Sequence, residues 1–123
     1  IYATKAALKE GIIPGGGVAL MDASAKISAK AVGEKILLKA IQSPFYTILD
    51  NAGIEYPDHS EQWNKEEGGG IDVVTGERAT MISAGIIDPL LVTKSALKNA
   101  VSVVSTIISA DCVISNMRTN EQV

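Results

Sequence analysis

The part of the sequence with the clearest chemical potential is a run of three glycines, Gly15–Gly17, between two predicted helices. Because glycine has no Cβ, the backbone can approach a ligand closely there, and the free N–H groups at the start of the second helix favour a bound anion. The run could therefore hold a phosphate or a ribose, or it could be only a tight turn, which is the commoner role. It lacks the Gly-Lys-Ser/Thr ending of a P-loop, and it does not follow a predicted strand as a dinucleotide-binding fingerprint does.

The acidic, histidine and cysteine side chains offer a second kind of chemistry, but each also has a structural explanation. Asp88 precedes Pro89, a pair typical of a helix start in which Asp is the N-cap residue and Pro the first helical residue. Asp72 is interpreted as a turn residue. His59 stands alone in a polar segment, and Cys112 lies among apolar residues as a buried, unreactive thiol. From the residues alone we predict no catalytic residue and no metal ligand.

Composition indicates one globular domain. The 123 residues carry a net charge of −3, and 46% of them are hydrophobic while 20% are charged. A packed core is therefore expected, and the acidic balance argues against a nucleic-acid-binding protein. The single cysteine excludes an intrachain disulfide and suits a reducing compartment, so we expect a cytoplasmic protein. The uncharged segment Asn99–Ala110 is too short and too polar for a membrane span, so no membrane contact is predicted.

Apolar spacing predicts helices in the first half of the chain. The elements are, in order, a helix over Ile1–Glu10, a turn over Ile12–Gly17, a helix from Val18 to about Ile27, a polar joint over Ser28–Gly33 and a helix from Glu34 to Ala52. Gly11 and Gly53 end the first and last of these helices, because glycine tolerates the left-handed backbone there. Pro44 falls inside the last helix and should kink it.

The residue pattern in the second half of the chain predicts a mixture of helix and strand. The elements are an exposed loop over Ile54–Gly70, which contains Trp63, a strand over Ile71–Val74 with a hairpin turn at Thr75-Gly76, a brief helix over Ala79–Gly85, a helix from Pro89 to about Ser109 and a strand within Ala110–Ser115. The polar residues of the long helix form a narrow stripe, so most of its circumference should be buried. The predicted fold is mainly α, with a short β-hairpin and a terminal β-strand.

Several of these segments together resemble a known family. The matching stretches run collinearly through Ala3–Leu20, Ala40–Pro44, Gly85–Pro89, Val92–Leu97 and the segment around Cys112. They resemble the equatorial domain of group I chaperonins, the GroEL type or 60 kDa chaperonin. The resemblance covers nearly the whole chain, which begins with Ile1 rather than Met, and we expect it to be part of a longer protein.

The resemblance implies that residues 1–123 are the C-terminal half of a helical, ring-forming equatorial domain, with the apical and intermediate domains lying elsewhere. The full-length parent would be an ATP-dependent chaperone that assists protein folding in an oligomeric ring. Its partners would be ATP or ADP and identical subunits. Unfolded proteins and a co-chaperonin would bind through domains outside this chain.

The resemblance also implies the residues that contact the nucleotide. Gly16 matches a backbone contact to the ribose, and Asp88 matches the carboxylate that accepts hydrogen bonds from the ribose hydroxyls. Asp72, Val73 and Val74 match the segment along the adenine, and Ile86 matches an apolar contact to the base. Magnesium and the triphosphate would be bound by residues outside this chain, as would the family's hydrolytic aspartate, so the chain alone is predicted to be inactive as an ATPase.

This sequence departs from the best-known members at the adenine segment and at the joint. Asp72 replaces an Asn and the two valines replace alanines, and the joint over Ser28–Gly33 is shorter. An alternative hypothesis is a structural or assembly module that packs within the ring and has no nucleotide binding of its own. A separate nucleotide-binding enzyme is a weaker hypothesis, because no complete acid/base or metal constellation is present in the sequence.

Overall fold

The computed structural model describes residues 1–56 and 66–115, so the positions of His59 and Trp63 lie outside the described residues. Helices dominate this part of the chain, and the four strands are short. The elements are α1 (Tyr2–Glu10), β1 (Ile12–Pro14), α2 (Val18–Lys26), α3 (Val32–Ala40), α4 (Ser43–Asn51), β2 (Gly69–Asp72), β3 (Glu77–Thr80), β4 (Ile87–Pro89) and α5 (Leu90–Ile108). The predicted mainly α fold with a short hairpin is confirmed.

Two segments far apart in the sequence are joined by an antiparallel pair, β1 with β4, in which Ile13 lies opposite Asp88. Helix α1 packs against α5 beside this pair, and Lys94 of α5 forms an ion pair with Glu10 of α1 at 2.6 Å. The prediction of a turn over Ile12–Gly17 is therefore only partly right, because its first three residues are a strand.

Helix α5 begins later than predicted from Asp88 and Pro89, which were expected to be its N-cap and first helical residue. Asp88 lies within β4, Pro89 is the residue that flanks the helix in an extended conformation, and the helix begins at Leu90. The Leu90 N–H donates to the Gly11 carbonyl oxygen at 3.1 Å. Strand pairing with β1 holds Asp88 extended and leaves it without a capping role, so the prediction that Asp88 is the N-cap residue is wrong.

The core lies between α2, α4 and the β2–β3 hairpin. Its main cluster of buried side chains is Val18, Met21, Phe45, Tyr46, Leu49, Ile71 and Met81. The aromatic members contribute edge-to-face packing, with the Phe45 and Tyr46 ring centroids 5.4 Å apart. This cluster fixes the position of the hairpin relative to α2, which begins at the end of the glycine run.

The predicted long helix from Glu34 is two helices, α3 and α4, with a break at Ile41–Gln42. Pro44 lies in the first turn of α4, where its missing N–H costs no hydrogen bond. The helix is therefore interrupted rather than kinked. The preceding joint covers Ile27–Ala31, and the Glu34 carboxylate closes it by accepting the N–H groups of Lys30 at 2.7 Å and Ala31 at 3.1 Å.

The β2–β3 hairpin begins and turns earlier than predicted, because β2 covers Gly69–Asp72 and the predicted strand residues Val73 and Val74 lie in the turn. Gly69 and Gly70 are part of β2 and Gly68 is buried, so the glycine run is not the exposed end of a loop. A Cβ at Gly70 would lie 2.5 Å from Val18 Cγ2, which explains why a glycine occupies this strand position. The predicted helix over Ala79–Gly85 is wrong, because Ala79 pairs with Gly70 in the hairpin and a turn follows.

Helix α5 ends as predicted, but none of its residues is buried among the described residues. The expected burial of most of its circumference is therefore wrong for this chain, since only α1 and β4 cover it substantially. By length and composition the whole of α5 is long and apolar enough to cross a membrane, whereas the prediction considered only its uncharged segment Asn99–Ala110. A helix that packs against other protein surfaces has the same length and composition, so this property alone assigns no membrane contact.

The predicted terminal strand is also absent from the described residues. Residues 112–115 have no regular structure and are exposed, and Cys112 is exposed rather than buried. A strand needs an edge with free N–H and C=O groups to pair with. Within the part of the chain that the structure describes, no such edge meets this segment.

Candidate functional site

The glycine turn is held by a hydrogen bond to a distant part of the chain. Gly15 is buried, and its N–H donates to the Ile86 carbonyl oxygen at 2.9 Å. Gly16 and Gly17 follow with φ of 68° and 76°, a left-handed backbone that favours glycine, and α2 begins at Val18. The turn therefore directs the start of α2 and places Gly16 next to the segment that contains Ile86.

Ile86 and Asp88 lie on the strand side of this arrangement. Ile86 is half-buried and packs against the core cluster, while Asp88 is exposed opposite Ile13. The described residues place no hydrogen-bond partner on the Asp88 carboxylate. Both of its oxygens are therefore available to accept hydrogen bonds from hydroxyl groups of a ligand.

The three remaining predicted residues lie at the turn end of the hairpin. Asp72 Oδ1 accepts the Val74 N–H at 2.9 Å, and the Asp72 carbonyl oxygen accepts the Gly76 N–H at 2.7 Å. The interpretation of Asp72 as a turn residue is thus confirmed. Val73 is 40% exposed and Val74 is 91% exposed, which leaves two aliphatic side chains open to contact.

The six predicted residues thus fall into two groups. Gly16, Ile86 and Asp88 belong to one unit built by the glycine turn and β4, whereas Asp72, Val73 and Val74 are at the tip of the hairpin. Among the described residues no hydrogen bond joins the hairpin tip to Gly16, Ile86 or Asp88. Within the described residues, hydrogen bonds from Ile86 to Met81 and from Met81 to Gly68 connect the first group to the base of the hairpin.

Beside the first group lies an apolar groove of about 870 Å³ between the α2–α3–α4 side and α5. Its walls include Leu20, Ile36, Leu97 and Val104, and Asp88 lines it together with Pro14 and Gly17. The resemblance to an equatorial domain implies uncovered helix faces at Glu34–Asn51 and Pro89–Ser109, and residues of both helices line this groove. Asp88 is therefore on the boundary between the candidate ribose site and a large unfilled apolar surface.

The described residues contain no group of three or more His, Cys, Asp or Glu side chains placed to hold a metal ion.

Comparison with known proteins places this geometry in a family. The model of the TCP-1/cpn60 chaperonin family matches residues 1–118. The chain belongs to the TCP-1/cpn60 chaperonin family. Chaperonin CPN60-like 1, mitochondrial, of Arabidopsis thaliana is 42% identical to this chaperonin chain, in an alignment that covers 98% of the chain and 22% of the relative.

The fold comparison agrees with the sequence comparison. A group III chaperonin, solved in the open state, matches 89% of this chaperonin chain with a TM-score of 0.70 and 25% identity. The match covers 25% of that protein. The chain therefore spans about a quarter of the length of the chaperonins it matches, and its fold is that of a chaperonin segment with helices and small sheets.

Sequence reasoning did not identify the structural roles of two residues in this part of the chain. Gly15 was recognised only as a member of the glycine run, although it alone of the three donates to Ile86. Met81 is fully buried beneath the hairpin, and nothing in its neighbourhood in the sequence distinguishes it from an ordinary core methionine. The hydrogen bond of Gly15 and the burial of Met81 both depend on contacts between distant segments. The spacing of residues within one segment does not predict such contacts.

Proposed function

We propose that this chain is the nucleoside-binding, C-terminal part of the equatorial domain of a group I chaperonin, an ATP-dependent chaperone that assists protein folding in a ring. The observation that carries the proposal is the hydrogen bond from Gly15 to Ile86, because it joins the glycine turn to the strand that holds Asp88. Three of the residues that the family resemblance nominates are thereby collected in one place. Membership of the chaperonin family over residues 1–118 supports the same function.

The chemistry of each side chain suits a nucleoside. The exposed Asp88 carboxylate can accept hydrogen bonds from both hydroxyls of a ribose, and Gly16 lets the sugar approach the backbone. Ile86, Val73 and Val74 present aliphatic surface to an aromatic base. Asp72 keeps one carboxylate oxygen in the hairpin turn, so its contribution to the base would come through its other oxygen or its backbone.

The triphosphate and magnesium would be bound by polypeptide outside this chain. Asp88, Pro14 and Gly17 line the apolar groove, so a segment that fills the groove would lie beside the proposed ribose site. Phosphoryl transfer requires the phosphates, the metal and the attacking water to be positioned together. We therefore expect this chain alone not to hydrolyse ATP, and magnesium-dependent phosphate release that Asp88→Ala abolishes would contradict this division of the site.

The alternative function is assembly of the ring without nucleotide binding. The unburied surface of α5 favours it, because an apolar helix of 19 residues needs a covering partner. Identical subunits of the ring are the partners proposed for this role. Unfolded proteins and a co-chaperonin would bind elsewhere in the full-length protein, in the cytoplasm.

A titration that compares adenosine with ATP tests the proposal. If this chain supplies only the nucleoside side, both ligands should bind the isolated chain with similar, roughly millimolar affinity, because the triphosphate gains no contacts. Amide shifts followed by NMR should change at Gly16, Val73, Val74 and Ile86.

Two variants serve as the test and its control. Asp88→Asn should weaken the binding of adenosine, whereas Asp111→Asn, a change at another exposed carboxylate, should leave it unaltered. The absence of saturable shifts for either ligand would overturn the nucleoside site and favour the assembly function. Equal affinity in the Asp88→Asn variant and the unmodified chain would remove Asp88 from the site.

A further inference from the structure

We propose that Met81 is a positioning residue that holds the glycine turn, the hairpin and Ile86 in fixed relative positions. The inference deepens the proposed nucleoside site and rests on it for its functional meaning. Met81 is fully buried, at 0% exposure, directly after β3. It follows Thr80, which pairs with Gly69 at the end of the hairpin opposite to Asp72, so its effect on the site would be transmitted through the backbone of its neighbours.

The backbone of Met81 takes part in a continuous series of hydrogen bonds. Its N–H donates to the Gly68 carbonyl oxygen at 2.9 Å, and its own carbonyl oxygen accepts the Ile86 N–H at 2.8 Å. The Ile86 carbonyl oxygen in turn accepts the Gly15 N–H at 2.9 Å. Three bonds thus lead from the start of the hairpin, through Met81 and Ile86, to the glycine turn.

The side chain of Met81 reaches the same segments. A Cβ built on Gly16 would lie 3.7 Å from Met81 Sδ, and a Cβ built on Gly70 would lie 3.2 Å from Met81 Cε and 3.3 Å from Sδ. The thioether therefore lies between two glycine backbones, one in the turn and one in β2. An unbranched, flexible side chain suits this narrow space, which a β-branched residue would overfill.

These two sets of contacts have a common consequence. Gly16 and Ile86 belong to the proposed ribose and base contacts, and Gly70 is part of the strand that ends at Asp72. A shift of Met81 would move both groups of site residues relative to each other, although it would touch no ligand. Preorganisation of a binding site reduces the cost of ordering it when the ligand binds.

The experiment compares Met81→Ala and Met81→Leu with Leu49→Ala, which truncates another fully buried side chain of the same core. In Met81→Ala we expect adenosine affinity to fall about tenfold, against about twofold or less in Leu49→Ala, at a temperature where all variants are folded. Met81→Leu keeps the side-chain volume nearly constant and provides the test if Met81→Ala does not fold.

Amide hydrogen exchange gives a second measurement that needs no ligand. In the Met81 variants, exchange at Gly15 and Ile86 should accelerate relative to exchange at Ile41, whose N–H bonds to Leu37 outside this series. In Leu49→Ala the exchange rates of all three amides should change by a common factor. If the exchange rates of these three amides also change by one common factor in the Met81 variants, the positioning role is overturned. This holds even if the unmodified chain binds no adenosine. Faster exchange without adenosine binding would keep that role and overturn only the proposed nucleoside site.

Discussion

Gly17 lies against the backbone of Phe45 so closely that a Cβ at position 17 would come within 2.6 Å of the Phe45 nitrogen and 2.7 Å of its Cα. The contact joins the start of α2 to the first turn of α4. The φ of Gly17 is 76°, a left-handed backbone conformation that favours glycine. Two independent requirements therefore select glycine at this position, one from the local backbone and one from the neighbouring helix.

Gly17→Ala should destabilise the fold strongly, by about 3 kcal/mol or more, because left-handed strain and a backbone clash add together. The matched control is Gly76→Ala, since Gly76 has nearly the same φ, 75°, and no atom within 4 Å of its Cβ position. The free energy of unfolding of that variant should fall by only about 1–2 kcal/mol. Urea unfolding of both variants measures the difference, and equal losses would show that α4 yields to the added methyl group.

Asp88→Ala should leave the free energy of unfolding within about 0.5 kcal/mol of the unmodified chain, because the carboxylate is exposed and does not cap α5. A true N-cap residue would lose roughly 0.5–2 kcal/mol on the same change. Thermal or urea unfolding provides the measurement, with Asp88→Asn as the control that preserves capping ability. A loss in the alanine variant that the asparagine variant lacks would restore the capping role.

The start of α3 should weaken in acid. The N–H groups of Lys30 and Ala31 hold the pKa of Glu34 below its ordinary value of 4.5, since they bind the charged carboxylate. A lowered folded-state pKa gives stabilisation that is complete above the unfolded value and is lost as the pH falls through the folded value. The amide shifts of Lys30 and Ala31 should therefore titrate with a midpoint below 4.5.

The control for this titration is Glu34→Gln, whose neutral side chain cannot titrate in that range. The acid transition at Lys30 and Ala31 should disappear in this variant while the rest of the spectrum keeps its pH dependence. A midpoint at or above 4.5 in the unmodified chain would contradict the role assigned to these two hydrogen bonds.

The apolar groove should make the chain associate at micromolar concentration, because large open apolar surfaces favour contact with other copies. Val104→Glu places a charge in the groove and should reduce both association and the binding of a hydrophobic dye. Leu8→Glu is the control, since Leu8 is 84% exposed on α1 and does not line the groove. Sedimentation velocity that shows only monomers of the unmodified chain would contradict the prediction.

The parts of the fold that were predictable are those with local signals. The α1 helix and its Gly11 end, the hairpin turn at Thr75-Gly76 and the end of α5 follow from spacing and glycine positions. The β1–β4 pair was missed because three-residue strands carry no periodicity, and their partners are far apart in the sequence. That same pairing overrode the strong helix-start signal of Asp88-Pro89.

The candidate site was less accessible to residue-level reasoning than the fold. Spacing identified the glycine run and interpreted Asp72 and Asp88 as structural, and only the family resemblance nominated Ile86, Val73 and Val74. The bond between Gly15 and Ile86 shows why, since residues far apart in the sequence meet there through backbone atoms. Side-chain type and spacing contain little information about such a contact.

The β1–β4 pair also sets an order for folding. The β2–β3 hairpin closes over a short turn, whereas β1 can pair only after the distant β4 has been made. Closing a long loop is slower and entropically more costly than closing a short one. During synthesis, Ile12–Pro14 therefore leaves the ribosome long before its partner, and the α2–α4–hairpin core can consolidate while that edge still has no partner.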